Sequence, residues 1–167
     1  MKPVINSQAL TFRRLIQLSD IEAIADIVQS SGFFSAAEID LACDLAKEKI
    51  ASGETCSYKF LFAEIANKVR GYTCFGLIPA TAGSYDLYWI AVDSQLRRRG
   101  IGQQLMQKTE DIIRAAGGIN IYVETSSRPQ YQPTHRFYES CGYVREAFLE
   151  NFYAAGDGKI IFSKKLQ

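Results

Sequence analysis

YDLYWIAVDSQLRRRGIGQQLMQKTEDIIRAA, residues 85–116, carries the fold decision. Its first part, Tyr85 to Val92, is aromatic and β-branched and suits a strand. The middle is a short polar turn with Arg97, Arg98, Arg99, Gly100 and Gly102. From residue 100 to 116, Ile101, Leu105, Met106, Thr109, Ile112 and Ile113 fall at helical spacing, and Gly117-Gly118 forms a stop. The opening turn of a helix leaves amide groups unpartnered at the positive end of its dipole. Glycines there let an anion approach the backbone, and three arginines add full charge. On local chemistry the stretch reads either as a phosphate cradle or as a tight, solvated turn. No Gly-Lys-Ser or Gly-Lys-Thr follows, so it is not a Walker loop, and Leu105 occupies the third-glycine position of a dinucleotide fingerprint.

The rest of the chain agrees with a local rather than a general charge. Its 167 residues suit one domain, residues 1–167, with a sizeable core. A net charge of +1 gives no reason to expect nucleic acid or an acidic membrane as partner. Cys43, Cys56, Cys74 and Cys141 lack Cys-x-x-Cys spacing, so reduced thiols and no metal are expected. With no long apolar run and no signal peptide, the expected location is cytoplasmic.

Around the central stretch, residues 1–8 read as a loose start and Leu10 to Leu18 as a first strand. Asp20 begins a short helix to residue 30, and Ser35 with Glu38 forms a capping box opening a second, to about Ile50. Tyr58 to Ile65 and Val69 to Ile78 read as strands joined by a turn at Asn67-Lys68. After the helix at 100–116 come a strand from Ile119 to Glu124 and a helix from Pro133 to about Ser140. Two strands close the chain, Tyr143 to Asn151 and Lys159 to Leu166. The β-α-β crossover makes strands 85–92 and 119–124 parallel within a mixed sheet.

This element order, with Arg97-x-x-Gly100-x-Gly102 between strand and helix, resembles the GNAT superfamily of N-acetyltransferases. Phe137-Tyr138-Glu139-Ser140-Cys141-Gly142-Tyr143 is similar to a second segment of that family. The resemblance implies an α/β (α+β) fold: a mixed, mostly antiparallel sheet of about seven strands, about four helices, and a splayed parallel pair at the centre. It implies acetyl-coenzyme A as co-substrate, with pyrophosphate on the backbone of Arg99, Gly100, Ile101, Gly102 and Gln103, screened by Arg97, Arg98 and Arg99. The pantetheine arm would lie beside Ile90, Ala91 and Val92, and an amide near Ala91 or Val92 would polarise the thioester carbonyl. Gly102→Glu is then expected to block the cradle and leave the fold intact.

The resemblance makes Tyr138 the general acid; packing of helix on sheet is the alternative. Asp86 and Glu124 are candidate bases, with ordered water a third route. Strand alternation puts Asp86, Tyr88 and Ile90 on one face. Tyr131 stands where the family often has an asparagine that touches the cofactor. His135 is read as structural and Cys141 as packing. Residues 124–129 and Asn151 to Tyr153 with Asp157 either shape an acceptor pocket or form ordinary loops. The expected activity is direct acetyl transfer to a primary amine of a small molecule or amino-acid-like acceptor, by a monomer or homodimer. The alternatives are a protein or peptide N-acetyltransferase and a non-catalytic coenzyme A sensor.

Overall fold

The computed structural model describes residues 9–166; the loose start expected at 1–8 lies outside them. Seven strands form one sheet in the order β1-β2-β3-β4-β5-β7-β6. They are β1 (Thr11–Arg13), β2 (Lys59–Ile65), β3 (Lys68–Leu77), β4 (Ser84–Val92), β5 (Asn120–Ser126), β6 (Val144–Ala154) and β7 (Asp157–Lys165). The helices are α1 (Asp20–Ser30), α2 (Ala36–Ser52), α3 (Ile101–Ala115) and α4 (Gln132–Ser140). No helix among the described residues is long and apolar enough to cross a membrane.

Period-2 burial divides the core into two layers. Leu61, Ala63, Phe75 and Leu87 join Leu105, Met106 and Ile113 of α3 and Tyr138 of α4 on one face. Phe60, Phe62, Tyr72 and Cys74 meet Ile24 and Val28 of α1 and Ala42 and Ala46 of α2 on the other. Helices on both faces bury the sheet, as the continuous apolar run from Phe60 to Ala63 on β2 requires.

Local signals act where expected. In the capping box, Ser35 Oγ accepts from the Glu38 amide at 3.3 Å and Glu38 Oε2 accepts from the Ser35 amide at 2.8 Å. Three local expectations are corrected. Strand β1 ends at Arg13 rather than Leu18, because the Arg13 guanidinium turns to Asp20 and Glu64, both at 2.8 Å, and to the Leu15 carbonyl. Leu15 and Leu18 are left in solvent. The β2–β3 turn is Ala66-Asn67, both left-handed, one residue before the position expected.

The third correction bears on the site. β3 and β4 are antiparallel, and Cys74 faces Trp89 while Phe75 faces Leu87, so Tyr88 is an extra residue on β4. This bulge shifts the alternation. Ile90 and Val92 therefore join Leu87 on the α3/α4 face, and Trp89 and Ala91 pack against the α1/α2 layer. Tyr88, packed on Tyr58 at 5.2 Å, also lies on the α1/α2 side. Asp86 and Ile90 are on opposite faces, not the same one.

Glu110 of α3 is 1% exposed and binds Lys164 Nζ at 2.7 Å; Lys164 also donates to the Cys141 carbonyl at 2.8 Å. Truncating one partner strands the other's charge in a low-dielectric site. Lys164→Met is expected to cost about 3 kcal/mol of folding stability. Urea unfolding measures this; an unchanged midpoint would contradict the burial argument.

Candidate active site

The base of the β4–α3 turn is fixed from below. The Asp93 amide donates to the Arg70 carbonyl at 2.8 Å, and Asp93 Oδ2 accepts from Arg70 Nη1 at 2.9 Å. Asp93 Oδ1 accepts from the Gln95 amide at 3.0 Å, and Ser30 Oγ at the end of α1 accepts from the Ser94 amide at 3.2 Å. The tip is free. Arg98 (φ 61°) and Gly100 (φ 78°) are both left-handed, a costly geometry for arginine. Helix α3 starts at Ile101 with no side-chain cap. Among the described residues, no amide of residues 97–103 donates to a protein acceptor. Arg97, Arg98 and Arg99 are exposed, and none of them forms an ion pair among the described residues. A row of unpartnered amides in a loop with three exposed arginines, of which Arg97 lies over the Phe33 ring at 5.6 Å, suits a diphosphate.

The two glycines do different work. A Cβ on Gly100 would meet nothing within 4 Å, so its role is the left-handed backbone. A Cβ on Gly102 would lie 3.2 Å from Phe137 and 3.7 Å from Val92. Gly102 therefore lets α3 close on α4, and in Gly102→Glu the Phe137 ring must give by a few tenths of an ångström, a packing cost added to that of the charge.

Beyond the turn the sheet opens. β4 and β5 are parallel and pair only at Ser84–Asn120, Tyr85–Ile121 and Asp86–Tyr122. From there β5 runs with β7 and β4 with β3, so the edge of β4 from Leu87 to Val92 faces a gap. The ladder fixes which amides line it. Asp93 bonds directly to its opposite, Arg70. Hydrogen-bonded antiparallel pairs recur every second residue, so Ala91 turns its N–H to Tyr72 on β3. Ile90 and Val92 point theirs into the gap, and Ala91 is removed as the polarising amide.

On the α3/α4 face, Tyr138 is 5% exposed among Tyr143, Phe162 and Phe137, with ring centroids at 6.1, 5.5 and 5.7 Å. Burial pushes its phenol well up, so it stays protonated, and its hydroxyl makes no hydrogen bond among the described residues. The carboxylates lie across the gap on the other face. Asp86 is half-buried, and its carboxyl is raised by that burial, then by Glu124, against a smaller lowering by Lys159. Glu124 alternates with the core residues Ile121 and Val123, so it points toward the α1/α2 side, where Lys159 Nζ binds it at 2.6 Å.

His135 Nε2 lies 2.8 Å from the Ser126 carbonyl in a buried setting, in keeping with a structural role. Burial raises the Cys141 thiol, which disfavours a nucleophilic thiolate. Tyr131 is buried, 6.0 Å from Phe33 and 6.5 Å from Phe34; Phe34 is 5.1 Å from Trp89. This aromatic chain runs from β4 to the segment after β5 along the α1/α2 side of the gap. Asp157 binds Arg128 at 3.2 Å, and Phe152 lies over Lys159 at 3.6 Å, so the two polar loop segments do gather near Glu124. Sequence reasoning missed Phe33, Phe34, Trp89 and Lys159. The signal for the first two was an apolar pair just after Gly32, in a loop that polar residues would ordinarily fill.

The sequence model of the acetyltransferase (GNAT) family matches residues 21–143. A crystal structure from Desulfovibrio desulfuricans, assigned to the GNAT family, is 41% identical, covers 95% of this chain and 100% of that one, and has a TM-score of 0.93. Two more distant structures share the fold. One is the Escherichia coli ribosomal-protein-S18-alanine N-acetyltransferase, at 20% identity, TM-score 0.73, and 95% coverage of both chains. The other is an aminoglycoside 6'-N-acetyltransferase complexed with coenzyme A, at 17% identity, TM-score 0.74, covering 94% of this chain and 97% of that one. No curated protein matches the sequence.

Proposed function

Because the chain belongs to the GNAT acetyltransferase family, we propose that it acts as one cytoplasmic acetyltransferase domain that acetylates a primary amine of a small or amino-acid-like molecule by direct transfer. Acetyl-coenzyme A supplies the activated acyl group when bound. The amides of Arg99 to Gln103 hold its pyrophosphate, and Arg97 to Arg99 screen the charge. The Ile90 and Val92 amides hold the pantetheine arm, and one of them stabilises negative charge developing on the carbonyl oxygen. Tyr138 gives a proton to the departing sulfur. Asp86, directly or through water, takes the proton of the amine, with Glu124 as the second candidate.

The observation that carries this reading is the parallel pair that parts after Asp86–Tyr122, leaving a gap along β4 whose far end, at Val92, adjoins the uncapped start of helix α3. The aromatic chain from Trp89 to Tyr131 lies on the acceptor side, where its rings would pack against the body of a small amine. Thiol release from acetyl-coenzyme A tests it with a panel of an aminoglycoside, a polyamine, a free amino acid and a peptide beginning with alanine. Turnover is expected with a small amine. Turnover with the peptide alone would move the assignment to a peptide acetyltransferase. Tight cofactor binding with no turnover on any acceptor would make the protein a coenzyme A sensor.

A further inference from the structure

Lys159 is only 9% exposed, on β7 in register with Ser126 of β5. Its Nζ lies 2.6 Å from Glu124 Oε2, 3.6 Å from the Phe152 ring centroid and 5.8 Å from that of Tyr153. Among the described residues, Glu124 is its one ion-pair partner. Aromatic faces and a carboxylate thus enclose the ammonium, which fits a fixed internal charge. Asp86, at the paired end of the gap, has no ion pair or side-chain hydrogen bond among the described residues. The charged and titratable groups that face Asp86 are Tyr88 on its own strand, backed by Tyr58, with Glu124 from β5 and Lys159 from β7; Tyr153 of β6 flanks Glu124.

Two carboxylates on one face of a narrow gap compete for ionisation, because like charges disfavour each other. One of them must be neutralised for the other to stay charged and accept a proton. We propose that Lys159 is a positioning residue for acetyl transfer: by gripping Glu124 it withdraws that carboxylate from proton transfer and leaves Asp86 to take the proton of the attacking amine. This inference rests on the acetyltransferase reading above and resolves its open choice of base. Asp86 takes one proton from nitrogen as the C–N bond forms. Tyr138 gives one to sulfur as the C–S bond breaks. Exchange with solvent restores both groups, so amine plus thioester becomes amide plus thiol. Burial raises the Asp86 carboxyl most, Glu124 raises it further, and Lys159 lowers it.

The test is a carboxyl-carbon NMR titration of Asp86 in the full chain, paired with kcat–pH profiles on one amine acceptor. Lys159→Met exposes Asp86 to an uncompensated Glu124 and should raise its midpoint by about one pH unit. Glu124→Gln leaves Lys159 uncompensated and should lower the midpoint, so this arm stands if Lys159→Met does not fold. The double variant should return the midpoint to near the native value, and Lys159→Arg should hold it there. The acid limb of kcat should move in the same sense as each midpoint; the amine's own ionisation is common to all variants. A midpoint unmoved by either single substitution overturns the role of Lys159. Full turnover in Asp86→Asn instead overturns the base assignment itself, whatever the titrations show.

Discussion

Gly100→Asp should abolish measurable coenzyme A binding while the protein stays folded. Gly100 is left-handed at φ 78°, and a Cβ there meets nothing within 4 Å, so the added side chain has room. Aspartate tolerates that backbone region better than most residues, and the conformational cost is about 1 kcal/mol. The electrostatic effect is much larger. The new carboxylate would stand among the amides of Ile101 to Gln103, where two phosphate charges are to sit. Like charges at such separations disfavour each other strongly, and an affinity loss of about 100-fold or more is expected. Calorimetric titration with coenzyme A reads the affinity, and thermal melting reads the fold. Native affinity in Gly100→Asp would show that the diphosphate lies elsewhere. Gly100 is the better position for this experiment than Gly102, whose Cβ direction is occupied by Phe137.

Tyr138→Phe should lower kcat by about 10²–10⁴-fold with little change in coenzyme A affinity. The ring packs among Phe137, Tyr143 and Phe162, and phenylalanine preserves all of that contact. The hydroxyl has no hydrogen bond among the described residues, so its removal leaves no partner stranded and stability should change little. The upward shift of the phenol has a definite sign: the protonated form persists to higher pH than for a free tyrosine, which a proton donor needs. Unaltered turnover in Tyr138→Phe, measured by thiol release at saturating acceptor, would reduce Tyr138 to a packing residue.

What the sequence made legible is what short-range chemistry determines. Ser35 and Glu38 announce α2 because a capping box acts within one turn. The loop Arg97 to Gly102 announces a turn that enters α3 without a side-chain cap, because that geometry is set by its own glycines. The parallel relation of β4 and β5 follows from the single helix between them. Features set by a partner strand stayed hidden. The extra residue at Tyr88 exists only against β3, and it moved Ile90 to the face opposite Asp86. The direction of the Ala91 amide likewise depends on Tyr72 across the ladder. Arg13 ended β1 early because Asp20 and Glu64 converge on it from elsewhere in the chain. Lys159 could not be placed beside Glu124 without knowing that β7 lies next to β5.

Within the candidate site, Tyr138 falls on one face of the sheet and Asp86 with Glu124 on the other, with the gap between β4 and β5 separating them. That division suits two proton transfers at opposite ends of one reaction: the leaving sulfur on the α3/α4 side and the incoming amine on the α1/α2 side. Under the proposal above, the Lys159–Glu124 pair leaves the amine side to Asp86.

Backbone amide NMR during titration with coenzyme A tests the central claim most directly. The account predicts that Ile90 and Val92, whose N–H groups face the gap, and Arg99 to Gln103 at the start of α3 shift together, with one common dissociation constant. Shifts confined to another surface, such as the polar cavity between α1 and the β2–β3 turn lined by Asp26, Lys68 and Arg70, with the α3 amides unmoved, would contradict it.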